Sequence, residues 1–280
     1  MQKLLDMNIS YRSKLILSLK VVFSLILISV FRLAVSNTLI AQPLPFKKES
    51  SFKAGEVLKY KLKYGFILAA EASLTVTDSD VQFSSPHAFR LQARGKTSNA
   101  FSVLFPVDNR YTSYIDSKTF LPYFYTENIS EGKYRRTDVV RFDHKNKKVS
   151  GNKGEFKSTS DQTFDLLSAY YFARNLDLTN VKPGQSFKLS YFLNDEVATL
   201  GIEYIGIETI DTELGKLECL KFSPEVKPGR IFKKNSRMYL WVTNDGNRIP
   251  VRANVEILVG TVSLELSGAS GLKYPLGKKI

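Results

Sequence analysis

From Phe52 onward the chain alternates apolar and polar residues. Val57-Leu58-Lys59-Tyr60-Lys61-Leu62-Lys63-Tyr64 sets Leu58, Tyr60, Leu62 and Tyr64 on one side and three lysines on the other. This period of two marks a half-buried strand with one wet face. Similar runs recur at Ala72–Thr77, Ala88–Ala93, Tyr111–Ile115, Tyr123–Ile129, Tyr134–Phe142, Phe187–Leu193, Gly201–Ile207, Leu217–Phe222, Met238–Val242, Val251–Leu258 and Thr261–Leu266. Turn formers separate most of them: Asp78-Ser79-Asp80, Asp143 to Lys148, Pro183-Gly184 and Asp245-Gly246-Asn247. About twelve short strands at this spacing predict a mainly β protein, either a strongly curled, barrel-like antiparallel sheet or a sandwich.

Residues 161–175 break the period. Asp161 is a candidate cap, Asp165 adds acid to the first turn and Arg174 adds a base to the last. Phe164, Leu167, Ser168 and Tyr171 recur at helical spacing, while Leu166, Tyr170 and Phe172 are apolar on other sides. A helix apolar nearly all round is buried on several sides, so this one is expected to pack against, or plug, the sheet. Arg174 at its end then needs a carboxylate partner from a neighbouring strand.

Landmarks also repeat. Gly55 and Gly184, and Ala72 and Gly201, are 129 residues apart; Pro122 and Pro250, and Gly132 and Gly260, are 128 apart. Their common order predicts two related strand modules, 52–143 and 182–267, around the helix within a single domain, 52–267. Residues 42–51 form a linker before it and 268–280 a tail after it.

The N-terminus reads as a targeting segment. Arg12, Lys14 and Lys20 precede an eleven-residue run, Val21 to Phe31, interrupted only by Ser24 and Ser29. That length suits a signal-peptide core and is short for a hydrocarbon layer of about 30 Å. Cleavage is expected after Ala41, with Ser36 as the alternative, and no nearby cysteine offers a lipid anchor. The expected location is the periplasm of a Gram-negative cell envelope.

Net charge is +13, and removing residues 1–41 leaves 35 basic against 26 acidic residues. For an exported chain the partners this suggests are lipid, lipopolysaccharide or another envelope protein rather than nucleic acid. Lys227, Arg230, Lys233, Lys234 and Arg237 enclose Ile231-Phe232 and form a candidate surface patch for anionic lipid or glycan. Tyr60, Tyr64, Arg174, Tyr239 and Trp241 are the candidate ligand-binding residues, read as facing the interior of the sheet.

Catalytic chemistry is sparse. His87 and His144 are isolated, there is no Gly-x-Ser-x-Gly elbow and no phosphate-cradling glycine loop, so no metal, cofactor or nucleophile is predicted. Cys219 is the lone cysteine, excluding an internal disulfide, and its strand setting predicts a small buried hydrophobe. Asp165 with Asp245 is the one carboxylate pair to test for glycan hydrolysis.

The sequence resembles a family of exported bacterial proteins catalogued as domain of unknown function 3108. The resemblance runs through Gly55-Glu56-Val57-Leu58-Lys59-Tyr60 and Ala69-Ala70-Glu71-Ala72, then Asp165-Leu166-Leu167-Ser168 with Tyr171 and Arg174. It continues through Leu240-Trp241-Val242-Thr243-Asn244-Asp245, Arg248-Ile249-Pro250-Val251 and Gly260, and covers most of 52–267. It implies an envelope β-protein and brings no established activity. The combined expectation is an exported, non-enzymatic protein that binds a hydrophobic or amphipathic envelope molecule. An assembly module of the outer membrane and a glycan-active enzyme are the alternatives.

Overall fold

The structure, a computed structural model, describes residues 47, 49–83, 87–103, 105–158, 160–225, 236–257 and 260–278. The expected signal segment lies outside them, as do Lys227, Arg230, Lys233 and Lys234. Among the described residues no helix is long and apolar enough to cross a membrane.

Each alternating run becomes a strand. The strands are β1 (Val57–Tyr64), β2 (Ile67–Asp78), β3 (Ala88–Thr97), β4 (Asp108–Asp116), β5 (Pro122–Glu131), β6 (Tyr134–Asp143), β7 (Lys148–Gly151) and β8 (Gly154–Lys157). They continue as β9 (Thr163–Phe164), β10 (Ser186–Leu193), β11 (Glu196–Thr212), β12 (Gly215–Pro224), β13 (Met238–Thr243), β14 (Pro250–Glu256) and β15 (Thr261–Ser270). Two helices, α1 (Asn99–Ser102) and α2 (Leu166–Ala173), complete the described elements. The three strands beyond the expected twelve are β7, β8 and β9, which are short and lack an apolar alternation.

All fifteen strands form one sheet, in the order β8-β7-β6-β5-β4-β3-β2-β1-β15-β14-β13-β12-β11-β10-β9. It is antiparallel except for the β9–β10 pair. It curls without closing: among the described residues no ladder joins the two ends, which meet through side chains. The Phe156 and Phe192 rings lie 5.2 Å apart, and Arg136 Nη1 donates to Asn194 Oδ1 at 3.1 Å. The sandwich alternative is therefore replaced by a single open, barrel-like sheet.

The helix plugs this curl. It touches β4 and β10, which stand nine places apart in the sheet. Phe164 and Phe172 meet at 4.6 Å, and Phe52 and Tyr171 at 4.8 Å. The helix begins later than the sequence predicts because Thr163 and Phe164 are extended and pair with β10. Asp165, not Asp161, is the cap: its carboxylate accepts from the amides of Leu167 and Ser168. Asp161 instead lies at the surface, paired with Lys147 at 2.7 Å.

Cross-strand register sorts side chains by face, since neighbours along a strand point to opposite sides. Leu62, Leu264, Ala253, Leu240, Phe222 and Tyr204 form one row across β1, β15, β14, β13, β12 and β11. The adjacent row, Lys61, Glu265, Arg252, Trp241 and Lys221, lies on the other face. One row is apolar and the next is charged apart from Trp241.

Two runs of six antiparallel strands, β1–β6 and β10–β15, follow one another through the sheet in the same direction. Both open on a glycine in the left-handed region, Gly55 at φ 92° and Gly184 at φ 86°, where a side chain would strain the turn. The two glycine amides donate to the carbonyls of Val76 and Tyr204 at 2.8 Å. The returning amides of Val76 and Tyr204 donate to the carbonyls of Glu56 and Gln185 at 3.0 and 2.8 Å.

Candidate functional site

The turn at Gly55 sends Glu56 into the interior, where it meets the end of α2. Arg174 Nη1 and Nη2 donate to Glu56 Oε1 and Oε2 at 2.5 and 2.7 Å, and its Nε donates to the Asn247 carbonyl at 3.0 Å. The guanidinium stands over the rings of Tyr171 and Phe52, 5.1 and 5.3 Å from their centres. Burial works to discharge Arg174, but the hydrogen bonds and charge of Glu56 outweigh it and hold the guanidinium charged. Tyr60 completes the cluster, its hydroxyl donating to the Pro250 carbonyl at 3.1 Å and lying 3.3 Å from the Tyr170 hydroxyl. Burial raises the Tyr60 phenol well above its ordinary range, so it stays neutral.

Asp165 locks the other end of the helix. Its Oδ1 accepts from the amides of Leu167 and Ser168 at 2.8 and 3.0 Å, and its Oδ2 from the hydroxyls of Ser113 and Ser168 at 2.6 and 2.8 Å. Burial pushes this carboxyl above the usual carboxylate range against the pull of those donors. Asp245 does different work. It accepts from the Thr243 hydroxyl and the amides of Asn247, Arg248 and Gly277, tying the β13–β14 turn to the C-terminal tail. The carboxylates proposed as a pair thus sit in separate environments, each saturated by its own donors, and do not face one another across a cleft.

Glu56 and Tyr60, then Asp165, Ser168, Tyr171 and Arg174, then Pro250 come from three segments far apart in the sequence. They converge on one helix and its two anchors. The family model described as "Protein of unknown function (DUF3108)" matches residues 59–267, which spans these segments from Tyr60 onward. The chain belongs to the DUF3108 family. None of the curated proteins matches the sequence.

Solved structures resemble the DUF3108 chain at low identity. One is a β-barrel-like protein of domain of unknown function DUF1849 from Brucella abortus, at 8% identity and TM-score 0.45, covering 76% of this chain and 96% of that one. Another is a candidate exported protein with a YmcC-like fold from Bacteroides fragilis, at 12% identity and TM-score 0.36, covering 81% of this chain and 100% of that one. A third is a candidate lipoprotein from Parabacteroides distasonis, at 14% identity and TM-score 0.37, covering 82% and 100%.

The remaining sites of this DUF3108 chain lie elsewhere. Tyr239 and Trp241 do not face α2: they stand on the side of the sheet that carries Lys221 and Arg252, in an apolar cluster with Leu217, Cys219 and Ile249. Lys221 Nζ lies 4.7 and 4.9 Å from their ring centres, and Trp241 Nε1 donates to Glu208 Oε2 at 3.1 Å. The sequence pattern misleads here because Trp241 is buried as deeply as an inward residue. The tip of the β11–β12 hairpin reaches across this side, where Arg252 donates to the Asp211 carbonyl and Lys61 pairs with Glu213 at 2.7 Å. Tyr64 is half-buried and joins a separate small cluster with Leu62, Val255 and Val262. Of the five candidate ligand residues, Tyr60 and Arg174 meet at the end of α2, Tyr60 also shares an apolar cluster with Trp241 and Tyr239, and Tyr64 stands in another. Arg237, the described member of the basic patch, is exposed near β13.

Sequence reasoning missed the seam where the ends of the sheet meet. Tyr125, Glu127, Asp138, Asn152, Phe192 and Asp195 line a cleft there with room for about one water. Burial raises the Glu127 carboxyl, and Arg136, 3.2 Å away, opposes the shift. Among the described residues no group of three His, Cys, Asp or Glu is placed to hold a metal ion.

Sequence reasoning also missed the rim formed by the β1–β2 turn, the β3–β4 loop and the β5–β6 turn. Phe66 (105% exposed), Val103 (86%), Ile67 (56%) and Tyr134 (55%) stand out from it. The only available signal was the glycine ending each run, Gly65 and Gly132, with an aromatic residue just after it.

Proposed function

We propose that this chain is an exported, non-enzymatic protein of a bacterial cell envelope that acts through its outer surface. In this reading the interior of the curled sheet is a packed core and not a binding cavity. The observation that carries it is the Glu56–Arg174 pair under α2: the interior groups best suited to recognise an amphipathic ligand already satisfy each other. An interaction or assembly role at the envelope thereby gains over carriage of a hydrophobic molecule. The N-terminal charges and the apolar run Val21 to Phe31 support export.

The test is mass spectrometry of organic extracts from the folded protein purified out of envelope fractions. The reading predicts no lipid or other amphiphile at one per chain. A stoichiometric amphiphile released only on unfolding would restore the carrier reading.

A further inference from the structure

Three neighbouring turns at one end of the curled sheet carry no acid. Antiparallel order puts the β1–β2 turn, the β3–β4 loop and the β5–β6 turn at one end. The β10–β11 turn with Asp195 and the β14–β15 turn beside Glu256 share that end, while the intervening turns, and those after β11 and β13, fall at the other. Residues 64–67, 98–106 and 132–135, which make the first set, contain no Asp or Glu. Their only charges are Lys133 and Arg135, both exposed, and neither pairs with a carboxylate among the described residues. At the opposite end every turn carries or adjoins an acid: Asp80, Asp116, Asp143, Glu213 and Asp245.

The apolar end is a built surface. The Ser98 amide and hydroxyl donate to the Ala69 and Leu68 carbonyls at 3.0 and 2.9 Å, fastening the β3–β4 loop to β2 beside Ile67. The Gly132 amide donates to the Pro106 carbonyl at 2.7 Å, fastening the same loop to the β5–β6 turn. Gly65 donates to the Thr261 carbonyl at 3.2 Å, extending the rim to β15. Beneath it, Leu62, Ala70, Val107, Val255, Ile257 and Val262 form a separate apolar cluster that stiffens the platform. Arg135 Nη1 bonds the Gly132 and Tyr134 carbonyls, which holds its charge beside the Tyr134 ring.

We propose that this rim docks on an anionic phospholipid surface, with Phe66, Ile67, Val103 and Tyr134 entering the headgroup region and Lys133 and Arg135 meeting lipid phosphates. The inference rests on the surface-acting reading above. Separate apolar tips projecting from a stiff rim suit a deformable lipid interface, where each side chain can be buried alone. Tyrosine places its ring at such an interface with its hydroxyl wet. Cations that pair with no carboxylate complement anionic headgroups, and the acids in every turn of the far end face away from the membrane.

Cys219 is the chain's only cysteine and is buried, so a cysteine placed elsewhere can be labelled alone. The test attaches an environment-sensitive fluorophore to Val103→Cys or, at the far end, to Leu214→Cys in the chain recovered from the envelope. Vesicles of phosphatidylglycerol with phosphatidylethanolamine are compared with vesicles of phosphatidylcholine. The proposal predicts a blue shift at position 103 with the anionic vesicles only, none at position 214, and loss of the shift in 1 M salt, where screening acts over about 3 Å. Phe66→Ser with Tyr134→Ser should weaken vesicle affinity about tenfold or more, since each ring forfeits its burial. Equal shifts at both ends, or unchanged affinity in the double variant, would overturn it. So would a position-103 shift that follows protein concentration without vesicles, which would assign the rim to a second copy of the chain. A failure of this kind leaves the surface-acting reading intact, whereas an extracted stoichiometric amphiphile would remove that reading.

Discussion

Arg174 and Glu56 lie 118 residues apart in the chain and meet as a bidentate pair with side chains 2% and 0% exposed. The pair joins the end of α2 to the turn that starts β1. A buried ion pair of this kind specifies one arrangement more than it adds stability, because desolvation offsets most of the attraction. Removing one partner strands the other charge. Glu56→Gln or Arg174→Met should therefore cost about 3–5 kcal/mol in denaturant unfolding. The double variant Glu56→Met/Arg174→Met should cost less than the sum of its single changes, measured as a double-mutant cycle.

Asp165 connects the start of the helix to β4, and its burial gives it a distinct pH signature. Its folded carboxyl titrates above the ordinary value of 3.8. The stability contributed by the protonated form is thus complete below that value and declines as pH rises through the folded one. Asp165→Asn, which stays neutral, should flatten the fall in unfolding free energy on the alkaline side of pH 4. Asp165→Ala should cost about 1–2 kcal/mol at neutral pH through loss of the cap. An Asp165→Asn profile parallel to the parent's would contradict the assignment.

Cys219 is fully buried, and burial, with Asp245 adding to it, pushes its thiol up to about 12. Only the thiolate reacts with alkylating reagents. The native chain should therefore resist iodoacetamide at pH 8, and modification should follow the unfolding transition.

Trp241 is the chain's lone tryptophan and reports on the apolar cluster around Leu217 and Cys219, bordered by Lys221 and Glu208. Its emission should be that of a buried indole, with acrylamide quenching several-fold weaker than in the unfolded chain. Glu208→Gln should change that emission, while Tyr171→Phe, in the separate core under α2, should leave it unaltered. Equal responses to both would place the indole with the helix after all.

The two six-strand runs invite a further comparison. We propose that modules 52–143 and 182–267 are structurally related, a reading supported by the matched turns at Gly55 and Gly184. Asp116 and Asp245 offer a check, since the Oδ1 of each accepts from the amides two and three residues onward. Asp116→Ala and Asp245→Ala should each cost roughly 1–2 kcal/mol, the range of a lost capping bond. A neutral change at either turn would break the parallel.

Much of the fold was legible because alternation is a local signal. Leu58, Tyr60 and Leu62 declare the face of β1 without reference to any other strand. The exceptions share one cause: their placement is decided by contacts distant in sequence. Trp241 alternates like an inward residue but is covered from outside by a hairpin tip. Asp161 looks like a cap, yet pairing of Thr163 and Phe164 with β10 delays the helix to Asp165. The need of Arg174 for a partner could be read from its position, but Glu56 as that partner could not. The rim at Phe66, Val103 and Tyr134 was hidden because an isolated apolar turn residue carries no periodicity.

The central claim is that α2 is a fixed part of the core and not a plug that opens to admit a ligand. Native-state amide hydrogen exchange of Leu167–Ala173 tests it most directly. These amides should exchange only through global unfolding, with the same free energy as the interior of β4 and β10. Exchange of the helix at markedly lower free energy than those strands would show that it opens on its own and would contradict the account.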